Sequence, residues 1–328
     1  MKGRLVTGPE RMLHSGYGNC VRLGDGVAEL LIAVDYGPRI MSYSLAGGRN
    51  VLFNNRDPDN VKKGAAFDEV FHPGAYWNIY GGNRLWVSPH SFPRAFYPDN
   101  EPVEAELLPD GAIFRCPPQK VNEVRNEVEI RMDKGGGRVS LRFRVTNVGK
   151  APKRMGAWSV TAMAPGGLEI IPQPTLPAGV LPNRRIALWD YTAMRDGRIY
   201  WGDAYIAVRQ DPLDEKPLKL GINNVDGWAC YLNSGTCFLC RHPHVEGAEY
   251  PDFGVSYETY THDRMLEMES LSPLALVAPG DSVEHRESWE LFPAQAPKDW
   301  RDESEVAAFV AARIAPADDK DIAERRPL

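Results

Sequence analysis

Over long parts of this chain, apolar and polar positions alternate with a period of two. In RVSLRFRVTNVG (138–149) Val139, Leu141, Phe143 and Val145 alternate with arginine, serine and threonine, as in a strand with one buried face. NEVEIRM (126–132) alternates likewise, and the glycine run Gly135 to Gly137 between the two predicts a hairpin. VAELLIAVDYGPRIMSYSLAGGRNVLF (27–53) reads as two or three strands broken at Tyr36-Gly37-Pro38 and at Gly47-Gly48. Further strands are expected around 155–163, 204–209, 227–232, 236–241, 255–260, 264–271 and 283–291. Strands at this spacing, with few helical stretches between them, point to an all-β antiparallel sandwich or barrel. The end of the chain differs. ESEVAAFVAARIA (303–315) places Val306, Phe309 and Val310 at helical spacing, with Ile314 a turn further on, and a charged tail, ADDKDIAERRPL, follows. No internal repeat or linker cuts the body, so 1–293 is read as one domain and 294–328 as a short C-terminal helix and tail.

Composition narrows the partners. The 328 residues can bury a substantial core, and a formal charge of −6 argues against nucleic acid, whose phosphates ask for a basic face. No run approaches the 18 or so apolar residues of a membrane span, and MKGRLVTGPERML lacks the apolar stretch of a secretory signal. A cytoplasmic protein is the expectation. The five cysteines are an odd number and imply no disulfide framework. Cys237 and Cys240 form a single CxxC, which reads as a buried strand of small thiols.

Several segments carry candidate chemistry. In RMLEMESLSPL (264–274) a strand turns Leu266 and Met268 one way and Glu267 and Glu269 the other. Two carboxylates so close tend to raise one pKa, which suits a general base or acid, although a solvated strand face has the same pattern. VEHRESWEL (283–291) follows the turn signal Pro279-Gly280-Asp281, which predicts a hairpin with the preceding strand. Its Val283, His285, Glu287 and Trp289 share one face. In CRHPHVEGAEYPDFG (240–254), His242, His244 and Glu249 look like the HxH…E part of a cupin metal site, the basis of a metal-dependent isomerase or lyase reading. A proline separates the histidines and the flanking glycines fall at the wrong spacing. The other reading is a polar loop at a cleft mouth, with His242, His244 and Asp252 meeting a ligand.

YGGNRLWVSPHSFPRAFYPDN (80–100) crowds Tyr80, Trp86, His90, Phe92, Phe96 and Tyr97 around Asn83, Arg84 and Arg94. Flat apolar faces beside fork-shaped donors suit a ligand with C–H faces and hydroxyls, which describes a sugar. Tyr80, Asn83, Arg84, Trp86 and His90 are therefore expected at a cleft; an aromatic plug at one end of a sandwich is the alternative. There is no Gly-rich phosphate loop after a strand and no GxSxG elbow.

The order DYGPRIMSYSLAGGRNVLF, YGGNRLW, WSVTAMAPGG, NVDGWACYL, YPDFG and EMESLSPLALVAPGDSVEHRESWEL resembles the galactose mutarotase-like superfamily over residues 15–292, through order and spacing rather than one decisive motif. The resemblance implies a β-supersandwich of large antiparallel sheets with a sugar cleft on a concave face. It also implies aldose 1-epimerase-type chemistry that needs no cofactor. MLEMES resembles the Leu-Glu-x-Gln context of the family's base, which falls on Glu267, with Glu269 in the glutamine's place. Two departures stand out. The family's HGG histidine appears as Tyr80, and its acid histidine would fall near Ala157-Trp158, where there is none. A replacement acid could come from His90, His242, His244 or Tyr80. The missing histidines also favour a sugar-binding protein without catalysis. This fold predicts strand content above about a third and helix below about one residue in eight, against the usual helical third.

Overall fold

The alternating segments pair into two large antiparallel sheets. The computed structural model describes residues 7–57, 59–133 and 135–314; the charged tail lies outside them. The first sheet has eleven strands. In spatial order they are Thr7–His14, Gly18–Asp25, Ala28–Ala33, Arg39–Leu45, Asn83–Ser88, Lys153–Met163, Leu266–Leu271, Tyr257–Thr261, Leu218–Ile222 and Ile186–Leu188, with Ala275–Val277 paired to the start of Lys153–Met163. The second has ten: Ile199–Trp201, Tyr205–Arg209, Leu168–Pro172, Trp228–Asn233, Thr236–Arg241, Ser282–Pro293, Arg138–Asn147, Val124–Met132, Gly111–Arg115 and Glu104–Leu108. Strand accounts for 47% of the chain and helix for 7%, on the expected side of both limits. The 126–132 and 138–149 segments form the expected hairpin, with Met132 opposite Val139.

Alternation explains the core. Leu30, Ile32, Tyr43, Leu266 and Met268 of the first sheet pack with Ile130, Leu141, Phe143, Phe238 and Trp289 of the second in one buried cluster. The 283–291 segment departs from its expected hairpin. Ser282–Pro293 pairs with Arg138–Asn147 and Thr236–Arg241, so the turn at 279–281 carries the chain from the first sheet to the second. The reason lies in its inward row, Val283, His285, Glu287 and Trp289, all buried. Beside Leu266–Leu271 that row would have displaced Tyr257–Thr261; in the second sheet it faces Ser270 instead. Ser270 Oγ lies 2.6 Å from His285 Nε2 and donates to Glu287 Oε1 at 2.5 Å, and Trp289 Nε1 donates to Glu287 Oε2 at 2.7 Å. Burial pushes His285 down to about 3, so its imidazole is neutral between the sheets, and it pushes Glu287 up while the Ser270 and Trp289 hydrogen bonds oppose that shift. This polar lock stands directly behind the outward-facing glutamates of the same strand.

The C-terminal helix spans Glu303–Arg313 and is capped by Asp302, whose side chain accepts from the Ser304 N–H. Val306 is fully buried, and Phe309 and Val310 pack beside it on the outer face of the second sheet with Ile170, Ala207 and Leu239. A second helix, Ala65–Val70, is too short to show a period in the sequence.

A buried carboxyl in the interior makes stability depend on pH. Glu169 is fully buried, accepts from Tyr257 Oη at 2.5 Å, and is pushed by burial to about 8. A carboxyl whose folded pKa lies above its unfolded value binds more protons when folded, so stability falls as pH rises between the two. Urea midpoints of the parent are expected to fall between pH 5.5 and 8.5. Glu169→Gln, neutral throughout, should fall less; an equal fall in both proteins would exclude Glu169 as a source.

Candidate functional site

The site is built by register on the outer face of the first sheet. Tyr260 lies opposite Glu267 on one side and Lys219 on the other. Glu258 lies opposite Glu269 and Gly221, and Glu269 opposite Val160, which faces Arg84. Trp86 faces Trp158. Because alternate residues share a face, these pairs form three rows across the strands. The first is Ala162, Glu267, Tyr260 and Lys219; the second is Arg84, Val160, Glu269, Glu258 and Gly221; the third is Trp86, Trp158 and Leu271. The sequence makes this floor by placing charged, ring or small residues at every second position, with core residues such as Leu85, Leu220 and Met268 between them. Gly82, at the head of Asn83–Ser88, has φ +65°, and a Cβ there would come within 2.1 Å of the Ile40 carbonyl oxygen. The YGG pair thus lets this strand lie close against Arg39–Leu45.

Two ion-pair groups occupy the floor. Arg84 Nη2 donates to Glu267 Oε1 at 2.9 Å, and its guanidinium lies over Trp86 at 4.2 Å and Trp77 at 5.3 Å from the ring centroids. Lys219 Nζ donates to Glu269 at 2.8 and 3.0 Å, lies 2.7 Å from Glu258 Oε2, and stands over the rings of Trp158 and Trp189. Trp158 Nε1 donates to Glu269 Oε2 at 2.9 Å. Burial pushes Glu258 up to about 8 and raises Glu269, with the Lys219 charge opposing. Burial alone would lower Lys219, but its two carboxylates outweigh that and hold it above its ordinary value. The Glu258–Glu269 pair therefore retains a proton near neutral pH, and the five charged positions come close to neutrality. Of the three carboxylates, Glu267 is 7% exposed, against 1% for Glu269 and 0% for Glu258. Glu267 is the most exposed of the three.

Rings stand beside the floor. Trp77, Trp86, Phe96 and Trp158 meet edge to face, and the half-exposed ring of His90 stands 5.5 Å from Phe96 and 6.0 Å from Trp158. Burial and the charge of Lys219 push His90 down, while Asp252 opposes, so the imidazole is neutral at pH 7. Asp252 and Phe253 are consecutive non-glycine residues with positive φ, 51° and 67°, and Phe253 is 93% exposed.

Arg84, Trp86, His90, Glu267 and Glu269 gather here, and Asp252 is near enough for its charge to bear on His90 and Glu258. Tyr80 lies in an adjoining cluster, stacked on Tyr36 and donating to Asn100 at 2.9 Å. Asn83 turns the other way. It is buried between the sheets, donating to Ser159 and Thr161 at 2.9 Å, because its position in the alternation is one off from Arg84. His242 is likewise buried, stacked on Tyr257, whereas His244 bonds Ser256 Oγ at 2.8 Å and stacks on Tyr250. Glu249 pairs with Arg154, so the HxH…E residues do not converge. Among the described residues no group of three His, Cys, Asp or Glu is arranged to hold a metal ion. Phe67 and Phe71, from the short helix Ala65–Val70 and its end, pack against Phe92 and Tyr97 of the ring-rich segment, and Phe92 packs against Phe96, while Trp86 and His90 both meet Trp158.

Sequence reasoning missed Lys219, Glu258, Tyr260 and Trp158. A signal was present: LKLGI carries one lysine in an apolar strand, and YETYT places Glu258 and Tyr260 two apart. Their meeting with Glu267 and Glu269 depends on strand order. A groove of about 490 Å³ on the outer face of the second sheet is lined by Arg131, Arg142 and Arg286, whose partners are Asp110, Glu129 and Glu284. It offers ion pairs but no buried carboxyl cluster.

The fold matches known structures. A proposed aldose 1-epimerase from Klebsiella pneumoniae superposes over 95% of this chain and 88% of its own, with a TM-score of 0.59 and 12% identity. A proposed mutarotase from Salmonella typhimurium covers 88% and 97% at TM-score 0.53 and 9% identity. A galactose mutarotase-like protein from Lactobacillus casei covers 83% and 100% at TM-score 0.50 and 9% identity. The chain therefore has the galactose mutarotase-like fold. No family model and no curated protein sequence matches it. Among the described residues no helix is long and apolar enough to cross a membrane.

Proposed function

We propose that this site binds a sugar and interconverts its anomers, with Glu267 as general base. One observation supports this reading: Glu267 is the most exposed of the three carboxylates and is held by Arg84, whose guanidinium lies over the rings of Trp86 and Trp77. The rings suit the C–H face of a pyranose, and His90 and Asp252 offer hydrogen bonds at the rim. Arg84 and Lys219 are both engaged with carboxylates, which favours neutral aldoses over uronates. The carboxylate takes the proton of the anomeric hydroxyl, the bond from C1 to the ring oxygen breaks as that oxygen is protonated, and closure on the other carbonyl face gives the other anomer. Glu269, bonded to Lys219 and Trp158, positions the floor.

Anomer exchange followed by NMR over a panel of neutral and acidic aldoses tests the proposal. Acceleration over buffer is expected for at least one neutral sugar. Saturable quenching of tryptophan fluorescence without exchange would favour the binding protein, a reading supported by Trp158 standing where the resemblance places the acid histidine.

A further inference from the structure

A base at the anomeric hydroxyl needs a partner at the ring oxygen, and the two oxygens share one carbon. Base and donor must therefore be close neighbours on the floor. His90 packs against the row of Trp86 and Trp158, four residues along the strand from the row of Glu267, or roughly 13 Å. Lys219 directs its ammonium to Glu258 and Glu269. Tyr260 is the direct cross-strand neighbour of Glu267, shares its face, and is partly exposed where Glu258 beside it is buried. Side chains opposite each other in such a pair have Cβ atoms about 5 Å apart, which leaves the carboxylate and the phenol either side of a small ring.

We propose that Tyr260 is the catalytic proton donor to the ring oxygen, acting opposite Glu267. This rests on the anomer-exchange reading and names the acid that the reading leaves open. In the forward step the Glu267 carboxylate takes the hydroxyl proton from O1 and a C1=O double bond forms. The C1–O5 electron pair returns to O5, which takes the phenolic proton of Tyr260. After rotation about C1–C2, O5 attacks the opposite face of C1 and gives its proton back to the phenolate, and O1 takes the proton from Glu267. Nothing is oxidised or reduced.

The surroundings suit a donor. Glu267 and Glu269 face Tyr260 from one strand, Lys219 from the other, Asp263 and the edge of His262 from the adjoining turn, and Tyr191 from the loop after Ile186–Leu188. Burial, then the two glutamates, push the phenol up to about 12, so it keeps its proton at neutral pH. Lys219 opposes that shift, so its charge favours the phenolate left after transfer.

Tyr260→Phe and Tyr260→His, with Glu267→Gln as reference, test this by kcat, KM and pH–rate profiles on a sugar that the parent turns over. Circular dichroism and thermal melts check that each variant is folded. Tyr260→Phe is expected to lose on the order of 10²- to 10⁴-fold in kcat with KM changed by a few fold at most. Tyr260→His should recover part of the rate, with activity falling as pH rises through the imidazole range. Parental kcat in Tyr260→Phe beside a dead Glu267→Gln would overturn the donor while leaving the base intact, as would a loss confined to KM. A parent without any exchange would overturn the donor and the anomer-exchange reading together.

Discussion

Glu267→Gln is expected to slow anomer exchange on the order of 10²- to 10⁴-fold, about 3–5 kcal/mol of barrier, because the amide keeps the shape but has no basic lone pair. Sugar affinity, read by tryptophan quenching, should fall only a few fold, since the rings are untouched. Stability is not indifferent to this change. Arg84 is 3% exposed and bonded to Glu267 at 2.9 Å, and replacing that carboxylate by an amide weakens a charged hydrogen bond worth about 1–3 kcal/mol. A solvent-facing glutamate, the view from the strand alone, would show no such loss. Glu269→Gln separates the two residues: it should disturb Lys219 and lower the melting midpoint, yet keep more activity than Glu267→Gln. Full activity in both variants would remove this strand from catalysis, and a dead Glu269→Gln beside an active Glu267→Gln would move the base by one same-face position.

The largest stability change is expected for Lys219→Met. Methionine retains most of the contact with Trp158 and Trp189 but leaves Glu258 and Glu269, both almost fully buried, without their cation. Removing one member of a buried ion pair typically costs about 3–5 kcal/mol, because the partner's charge remains desolvated. Here the loss depends on pH. With the lysine gone, burial raises both carboxyls above their ordinary values, so the folded state holds protons that the unfolded state releases. Stability that is present near pH 5 is then lost as pH rises through the folded-state values, and the deficit against the parent should widen toward pH 8.5. Urea titrations at pH 5 and 8.5 give the comparison, and adding Glu258→Gln should restore part of the deficit at the higher pH. A deficit equal at both values, or none, would show that the three groups are not coupled as drawn.

The alternation in Arg138–Asn147 and Val124–Met132 was legible as a hairpin because period two is a local property, set by the buried side each strand turns inward. The same rule placed Glu267 and Glu269 opposite Leu266 and Met268, and the structure puts those two hydrophobic residues in the shared core. It also accounts for Asn83, whose neighbour Arg84 lies on the outer face while Asn83 itself turns into the sandwich. The sequence shows both residues but not which side is which.

What local pattern could not contain is adjacency between distant strands. Arg84 reaches Glu267 across 183 positions of chain, and Lys219 reaches Glu269 across 50. Each meeting depends on the order in which strands enter the sheet. The Ser282–Pro293 strand shows the same limit: a turn signal promised a hairpin, but its inward row of His285, Glu287 and Trp289 found a buried place only in the opposite sheet. The chain by itself determined the all-β class, the faces of its strands and the C-terminal helix, since each follows from side-chain period and residue type; the same period put Glu267 and Glu269 on one face without choosing between them. Only the tertiary structure decided that Tyr260, Lys219, Glu258 and Trp158 gather around Glu267 and Glu269, because backbone hydrogen bonding between strands far apart in sequence sets which rows of side chains come into contact.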